Sequence, residues 1–255
     1  MSSKTKRYIF KKMYKDKTIE ISIVVLCYKA DTSITDFLDK IILKGKQRGL
    51  NFEMILVANF WNNKEDTSPL MIKNYAKNKN YCKVISKVKK GDMGWDMKSG
   101  FEASSGEIII VIDGDSQFES SLVFWVYDKL IDNNLDLCKT YRIQREDGIY
   151  RKFISKIFNL VFSLLFPAKQ YKREFIDINS KPKAFTREAY NKMILTSNDW
   201  FIDAEIMINA RDHTFRMSSF PICFYKSERE SFVKPIAIIE FIKNLIYFRL
   251  KKVKH

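Results

Sequence analysis

The stretch GEIIIVIDGDSQ, Gly106 to Gln117, decides how the chain is read. Ile108 to Ile112 is an unbroken aliphatic run, too short for a typical helix and too uniformly apolar for a strand with one wet face. It predicts a strand buried on both sides. The run passes directly into Asp113-Gly114-Asp115. Two carboxylates at i and i+2 leaving a buried strand can turn toward one cation, and Gly114 would let the backbone come close to a phosphate. The same residues also form ordinary strand-end turns, so their context has to carry the reading.

That context is regular. Upstream lie ISIVVLCY (21–28), FEMILVAN (52–59) and YCKVISKV (81–88), three further β-branched apolar runs separated by segments of helical period. Between the first two, Ile34, Phe37, Leu38, Ile41 and Ile42 recur at i, i+3, i+4, i+7 and i+8, which makes one apolar helix face that ends near Gly49. This β-α-β rhythm predicts an α/β fold with a mostly parallel central sheet and helices on both faces. Ligands of such sheets sit beyond the carboxyl ends of the strands, here the loops after Tyr28, Asn59 and Asp113. After Asp136 the rhythm changes to a strand-like LDLCKTY, a basic loop, a long apolar helix from about Tyr150 to Phe166, and short mixed elements to Lys226. No Pro/Gly/Ser linker divides the chain. The expected organisation is a basic arm (1–19), one catalytic domain (20–234) and a basic amphipathic C-terminal helix (235–255).

With 45 Lys and Arg against 30 Asp and Glu, the net charge of +15 calls for an anionic partner. Nucleic acid, a phosphorylated small molecule and an anionic membrane surface all satisfy it. Most aromatic residues lie inside apolar runs rather than among basic ones, and no nucleic-acid-binding module is present, so nucleic acid is not the expected partner. Four isolated cysteines and two histidines argue against a zinc site or a disulfide framework and for a reducing cytosol. Neither a cleavable leader nor a run of ~20 apolar residues is found, so secretion and membrane crossing are not expected.

The stretch before the Asp113 strand, with Gly91-Asp92-Met93-Gly94, Lys98, Gly100, Ala103 and Gly106-Glu107, resembles the corresponding region of family 2 glycosyltransferases. Further on, KTYRIQREDGIYRKFISKIFNLVFSLLF, DINSKPK (177–183) and FTREAY resemble the dolichyl-phosphate mannose synthase branch and its bacterial polyprenyl-phosphate relatives. The likeness spans roughly residues 20 to 234. It implies a Rossmann-like, glycosyltransferase A-type fold and a nucleotide-diphosphate sugar donor, GDP- or UDP-linked. It further implies Mg2+ or Mn2+ held by Asp113, Asp115 and Gln117, and a polyprenyl phosphate acceptor.

Residue by residue, the resemblance points to donor contacts from Tyr28, Asp31, Asn59, Gly94, Lys98 and Asp113. Arg142, Arg145 and Arg151, with Ser155 one turn further on, stand where the branch meets the acceptor phosphate, and Arg forks suit phosphate oxygens. Arg229 and Lys234 remain phosphate contacts in a late basic motif that lacks its usual glycine. The chain departs from most relatives at Tyr28-Lys29-Ala30-Asp31, where Asn-Glu is usual, and at Ala58-Asn59, where an acidic pair is usual. Asp31 and Asn59 therefore read equally as nucleoside contacts or as a helix cap and a turn residue.

The expected reaction is transfer of a hexose, with inversion, to a phosphate monoester that is already ionised at neutral pH and needs no general base. Asp115, Arg142 and Arg151 would act at the reacting groups. The alternative is transfer to a sugar hydroxyl, which requires a carboxylate base, and Asp203 and Glu205 in NDWFIDAE are its candidates. Two apolar helices complete the reading. In Tyr150–Phe166, polar residues Lys152, Ser155, Lys156, Asn159 and Ser163 form one narrow stripe; in the C-terminal segment Glu240, Lys243, Asn244, Tyr247 and Lys251 do so, opposite Ile238, Phe241, Ile242, Leu245 and Phe248. Each reads either as core packing or as a helix lying in the bilayer interface, which would give peripheral association at the cytoplasmic face.

Overall fold

In the computed structural model, residues 19–115, 118–144, 159–167, 175–223 and 243–250 are described. Among them, seven strands form one sheet in the order β3-β2-β1-β4-β6-β5-β7. The four apolar runs supply its first half: β1 Ile21–Leu26, β2 Phe52–Val57, β3 Cys82–Ile85 and β4 Ile108–Asp113, each parallel to its neighbours. Side chains alternate as strand geometry demands. Ile21, Ile23 and Val25 of β1 join one core with Ile108, Ile110 and Ile112 of β4, whereas Val24, Ile109 and Val111 belong to a second core on the other face.

Helices cover both cores. On the first lie α1 (Ser33–Gln47), which buries the predicted Ile34, Phe37, Leu38, Ile41 and Ile42, and α4 (Leu122–Asp132); α2 (Ser68–Ala76) contributes Ile72. Gly49, at φ +60, ends α1: its N–H donates to the Lys46 carbonyl and that of Leu50 to Gly45, closing the last turn in a Schellman arrangement. On the second core lie α3 (Met93–Ala103) and α6 (Ile202–Asp212), with the short α5 (Arg187–Lys192) contributing Ala189. A Cβ on Gly100 would stand 2.3 Å from Val24 Cγ1, so α3 sits against the sheet at a distance only glycine permits.

The changed rhythm after Asp136 has a topological cause. β5 (Leu137–Gln144) pairs in parallel with β7 (Met217–Cys223), and the four-residue β6 (Lys183–Thr186) runs antiparallel between β4 and β5. β6 thereby brings its N-terminal end to the same sheet edge at which β4 and β5 finish.

The two amphipathic segments turn apolar side chains into the second core. Residues 159–165 are helical and bury Phe162 with Phe166 just beyond, leaving Leu160 and Leu164 exposed. Residues 243–250 are helical, with Leu245 buried, Phe248 packed on Phe201 at 5.0 Å, and Asn244 donating to Asp199 at 2.7 Å. Among the described residues, no helix is long and apolar enough to cross a membrane.

Candidate active site

The sheet topology gathers chemistry at one edge. Asp113 and Asp115 leave β4 there, and because Val111 pairs with Lys183, the segment Ser180-Lys181-Pro182-Lys183 enters β6 beside them. Lys183 also pairs with Lys139 of β5, so two buried lysines face each other across the strands. Like charges so placed repel, and carboxylates must answer them. Asp203, in the first turn of α6, does so: its oxygens accept from Lys183 Nζ at 2.5 Å and from Lys181 Nζ at 3.2 Å, all three side chains being at most 2% exposed. Burial pushes the Asp203 carboxyl up, but the two lysines outweigh it and hold the group below the ordinary carboxylate range. Lys181 also stands 3.7 Å from Asp113 Oδ1, and the two carboxylates outweigh burial to hold its ammonium above the usual lysine range.

Lys139 is fully buried and donates to the carbonyls of Ile176 and Thr140. Burial first, then Lys183, push it down to about 7. Next to it Arg142 forks onto Asp177, with Nε to Oδ2 at 2.8 Å and Nη2 to Oδ1 at 2.6 Å. Its backbone N–H donates to the same carboxylate. Arg142 thus lies within β5, paired with Ile222 of β7, rather than in the loop expected after that strand, and is oriented by an acidic partner that the sequence reading did not assign.

Beyond β1 and β2 lies a second polar centre. Asn59 is buried; its Nδ2 donates to Asp96 Oδ1 at 2.9 Å, and its Oδ1 accepts from the Lys87 N–H. Asp96 Oδ2 accepts from Lys89 Nζ at 2.5 Å, and that ammonium lies 4.2 Å from the centre of the Tyr28 ring and 6.0 Å from that of Trp61. A carboxylate absent after β2 in the sequence is supplied here from α3. Asp31 accepts from the Ser33 N–H in an Asx turn just ahead of α1, whose N-cap position is Thr32.

Four residues named from the sequence have partners within the protein. Gly94 packs against the 196–199 loop: its N–H donates to the Asp199 carbonyl, and a Cβ there would meet the Ser197 carbonyl at 2.6 Å. Lys98 donates to the Thr196 carbonyl, so both residues dock the 196–199 loop against the start of α3. Gly114 makes room for β1 and α1, since a Cβ would meet Ile34 Cδ1 at 2.8 Å and the Leu26 carbonyl at 2.9 Å. Glu205 is likewise committed, accepting from both N–H groups of Thr196 and Ser197 and from the Thr196 hydroxyl. Gln117, Arg145, Arg151, Ser155, Arg229 and Lys234 lie outside the described residues.

Sequence reasoning passed over Lys181, Lys183, Lys139, Asp177, Lys89 and Asp96. One signal was available: Lys181 and Lys183 alternate at strand spacing immediately before the apolar Ala184-Phe185. Among the described residues, no group of three or more His, Cys, Asp or Glu is arranged to hold a metal. Asp113, with its side chain 31% exposed, and the half-buried Asp115 form a two-carboxylate set of hard oxygens. Mg2+ is commonly bound by one or two carboxylates together with substrate phosphates, so the set fits such an ion.

Comparison with known proteins bears on this edge. Residues 22–196 match the family described as glycosyl transferase family 2. The undecaprenyl-phosphate 4-deoxy-4-formamido-L-arabinose transferase of Photorhabdus laumondii is 22% identical over 228 residues, covering 89% of this chain and 66% of that protein. The protein of the same description from Salmonella paratyphi B is 26% identical over 144 residues, covering 56% of this chain and 42% of the relative. Each match thus spans less than two thirds of the relative's length. Among solved structures, mannosyl-3-phosphoglycerate synthase from Rubrobacter xylanophilus superposes with a TM-score of 0.73 at 15% identity, covering 96% of this chain and 78% of that one. Glucosyl-3-phosphoglycerate synthase from Mycobacterium tuberculosis, in complex with Mn2+, UDP and glucosyl-3-phosphoglycerate, gives 0.72 at 14%, covering 94% and 82%. At such identities the likeness speaks for the fold.

Proposed function

Because the chain belongs to glycosyl transferase family 2, we propose that it moves a hexose, with inversion, from a nucleotide-diphosphate sugar to a polyprenyl phosphate. The observation that carries the choice of acceptor is the burial of Asp203 between Lys181 and Lys183. Transfer to a hydroxyl needs a carboxylate that can reach the hydroxyl and take its proton. Asp203 has no exposed surface and Glu205 is spent on the 196–199 loop. A phosphate monoester requires no such base, and the acceptor named for the curated relatives is undecaprenyl phosphate.

In this reading Asp113 and Asp115 would hold Mg2+ or Mn2+, which neutralises charge developing on the leaving nucleoside diphosphate. Tyr28 and Trp61, flanking Lys89, offer ring faces to the nucleobase, with Asn59 and Asp96 fixing the lysine beneath them. Arg142, held by Asp177, orients the acceptor phosphate together with Arg145, Arg151 and Ser155, while Arg229 and Lys234 add phosphate contacts. Exposed Leu160 and Leu164, with Ile246 and Leu250 on the other amphipathic segment, face the bilayer interface. With the net charge of +15 they support peripheral association at the cytoplasmic face.

The test is transfer of labelled hexose from UDP- and GDP-sugars, with Mn2+, to undecaprenyl phosphate and to undecaprenol. Activity confined to the phosphate is the expected result. Equal use of the neutral alcohol removes the phosphate-acceptor assignment.

A further inference from the structure

Lys181 is a side chain that the proposed reaction does not use. It is buried, yet its Nζ stands 3.7 Å from Asp113 Oδ1, on the first of the two carboxylates assigned to the cation. On its other sides it meets Asp203 Oδ2 at 3.2 Å and Met93 Sδ at 3.1 Å. Asp203 is in turn fixed by Lys183 at 2.5 Å, and neither member of that pair has exposed surface. The ammonium is therefore backed against Asp113 by a rigid, dry support. A purely structural role does not call for it, because Lys183 already neutralises Asp203, and burying a second ammonium is costly unless a further carboxylate compensates. Asp113 is that carboxylate.

Resting on the metal-site reading above, we infer that Lys181 is a built-in cation of the donor site that weakens its hold on a bare divalent ion and so couples uptake of the ion to uptake of the nucleoside diphosphate. An ion approaching Asp113 and Asp115 meets two negative charges with one positive charge a few ångströms behind them. Lys181, 3.7 Å from Asp113, offsets part of the negative charge that the carboxylates present to the ion. A diphosphate restores the deficit, and the same ammonium attracts it. Ion and diphosphate then raise each other's affinity by one common factor, as linkage requires.

The two halves of this inference have opposite signs, which separates it from a stabilising role. In Lys181→Met, affinity for Mn2+ alone, read by electron paramagnetic resonance of the free ion, should tighten on the order of tenfold, as removal of one nearby charge implies. Affinity for UDP or GDP without metal, read by calorimetry, should weaken by a similar factor. Lys181→Arg, with its charge kept, should stay near the wild type, and Asp113→Asn in the Lys181→Met background should abolish the gain for Mn2+. If methionine unfolds the core, Lys181→Gln, which keeps a donor for Asp203, takes its place in the same two titrations. Unchanged or weaker binding of Mn2+ alone in the folded variant overturns the inference. Should Asp113→Asn by itself leave Mn2+-dependent nucleotide binding intact, the metal-site reading has failed instead.

Discussion

Asp203→Asn separates an anchor from a base. The substitution keeps shape and removes a charge on which two buried ammonium groups depend, Lys183 at 2.5 Å and Lys181 at 3.2 Å. Breaking a buried pair by neutralising one partner typically costs about 3–5 kcal/mol, since the other charge stays dry and uncompensated. For 255 residues at ~2.1 cal/mol/K of unfolding entropy per residue, that loss lowers the melting temperature by roughly 6–9 °C. The sign with pH follows from the lowered folded pKa. Stability contributed by the carboxylate is complete above its unfolded value of 3.8 and is lost as pH falls through the lower folded value, so the gap between wild type and variant closes in acid. Urea denaturation at pH 7 and at a pH below 3.8, beside transfer assays on both acceptor types at neutral pH, measures this. A variant that melts with the wild type yet loses transfer would refute the reasoning, because it would mean that Asp203 works as an accessible base.

Three further outcomes are expected. Asp113→Asn and Asp115→Asn should each abolish metal-dependent nucleotide binding in calorimetry; the melting temperature should hold in Asp115→Asn, at a partly exposed strand end, and fall in Asp113→Asn, which also removes a carboxylate that compensates the buried Lys181. Arg151→Ala should lower use of undecaprenyl phosphate by about ten- to a hundredfold, the equivalent of one charge-assisted contact of ~1.5–3 kcal/mol, with donor affinity unchanged; equal losses of both would contradict it. Lys139, pushed down to about 7 in the folded protein from 10.5, takes up more protons unfolded than folded between those values. Wild-type stability should therefore rise with pH across that window, more steeply than that of Lys139→Met, and parallel curves in denaturant titrations at pH 7 and 9 would count against it.

The first half of the sheet was legible because its signal is local: Ile108–Ile112 and its upstream counterparts cannot be satisfied except by burial on both faces. The helical spacing of Ile34 to Ile42 likewise leaves one orientation for α1. What escaped depends on partners distant in the sequence. Lys98 pairs with a carbonyl 98 residues away, and Gly94 is packed by the same loop, so neither pattern discloses that the start of α3 is already occupied. The buried lysines were invisible for a different reason. A lysine reads as a surface residue until its carboxylate is located, and Asp203 follows Lys181 by a helix and a loop. Tetrapeptide β6 carries too little pattern to be recognised alone, and only its two neighbours define it.

That short strand also sets an order of assembly. β1 to β4 can pair as they emerge, each finding a partner already made, but β5 appears some forty residues before the element that joins it to β4. A nascent chain halted ahead of Lys183 would hold a finished four-stranded half with β4 bare along one side, and β5 with nothing to join. Completion of the molecule thus waits on four residues whose contacts reach back across much of the sequence, a late, long-range step of the kind that slows folding and leaves strand edges open to other chains. Growth temperature and synthesis rate should affect soluble yield most strongly through that interval.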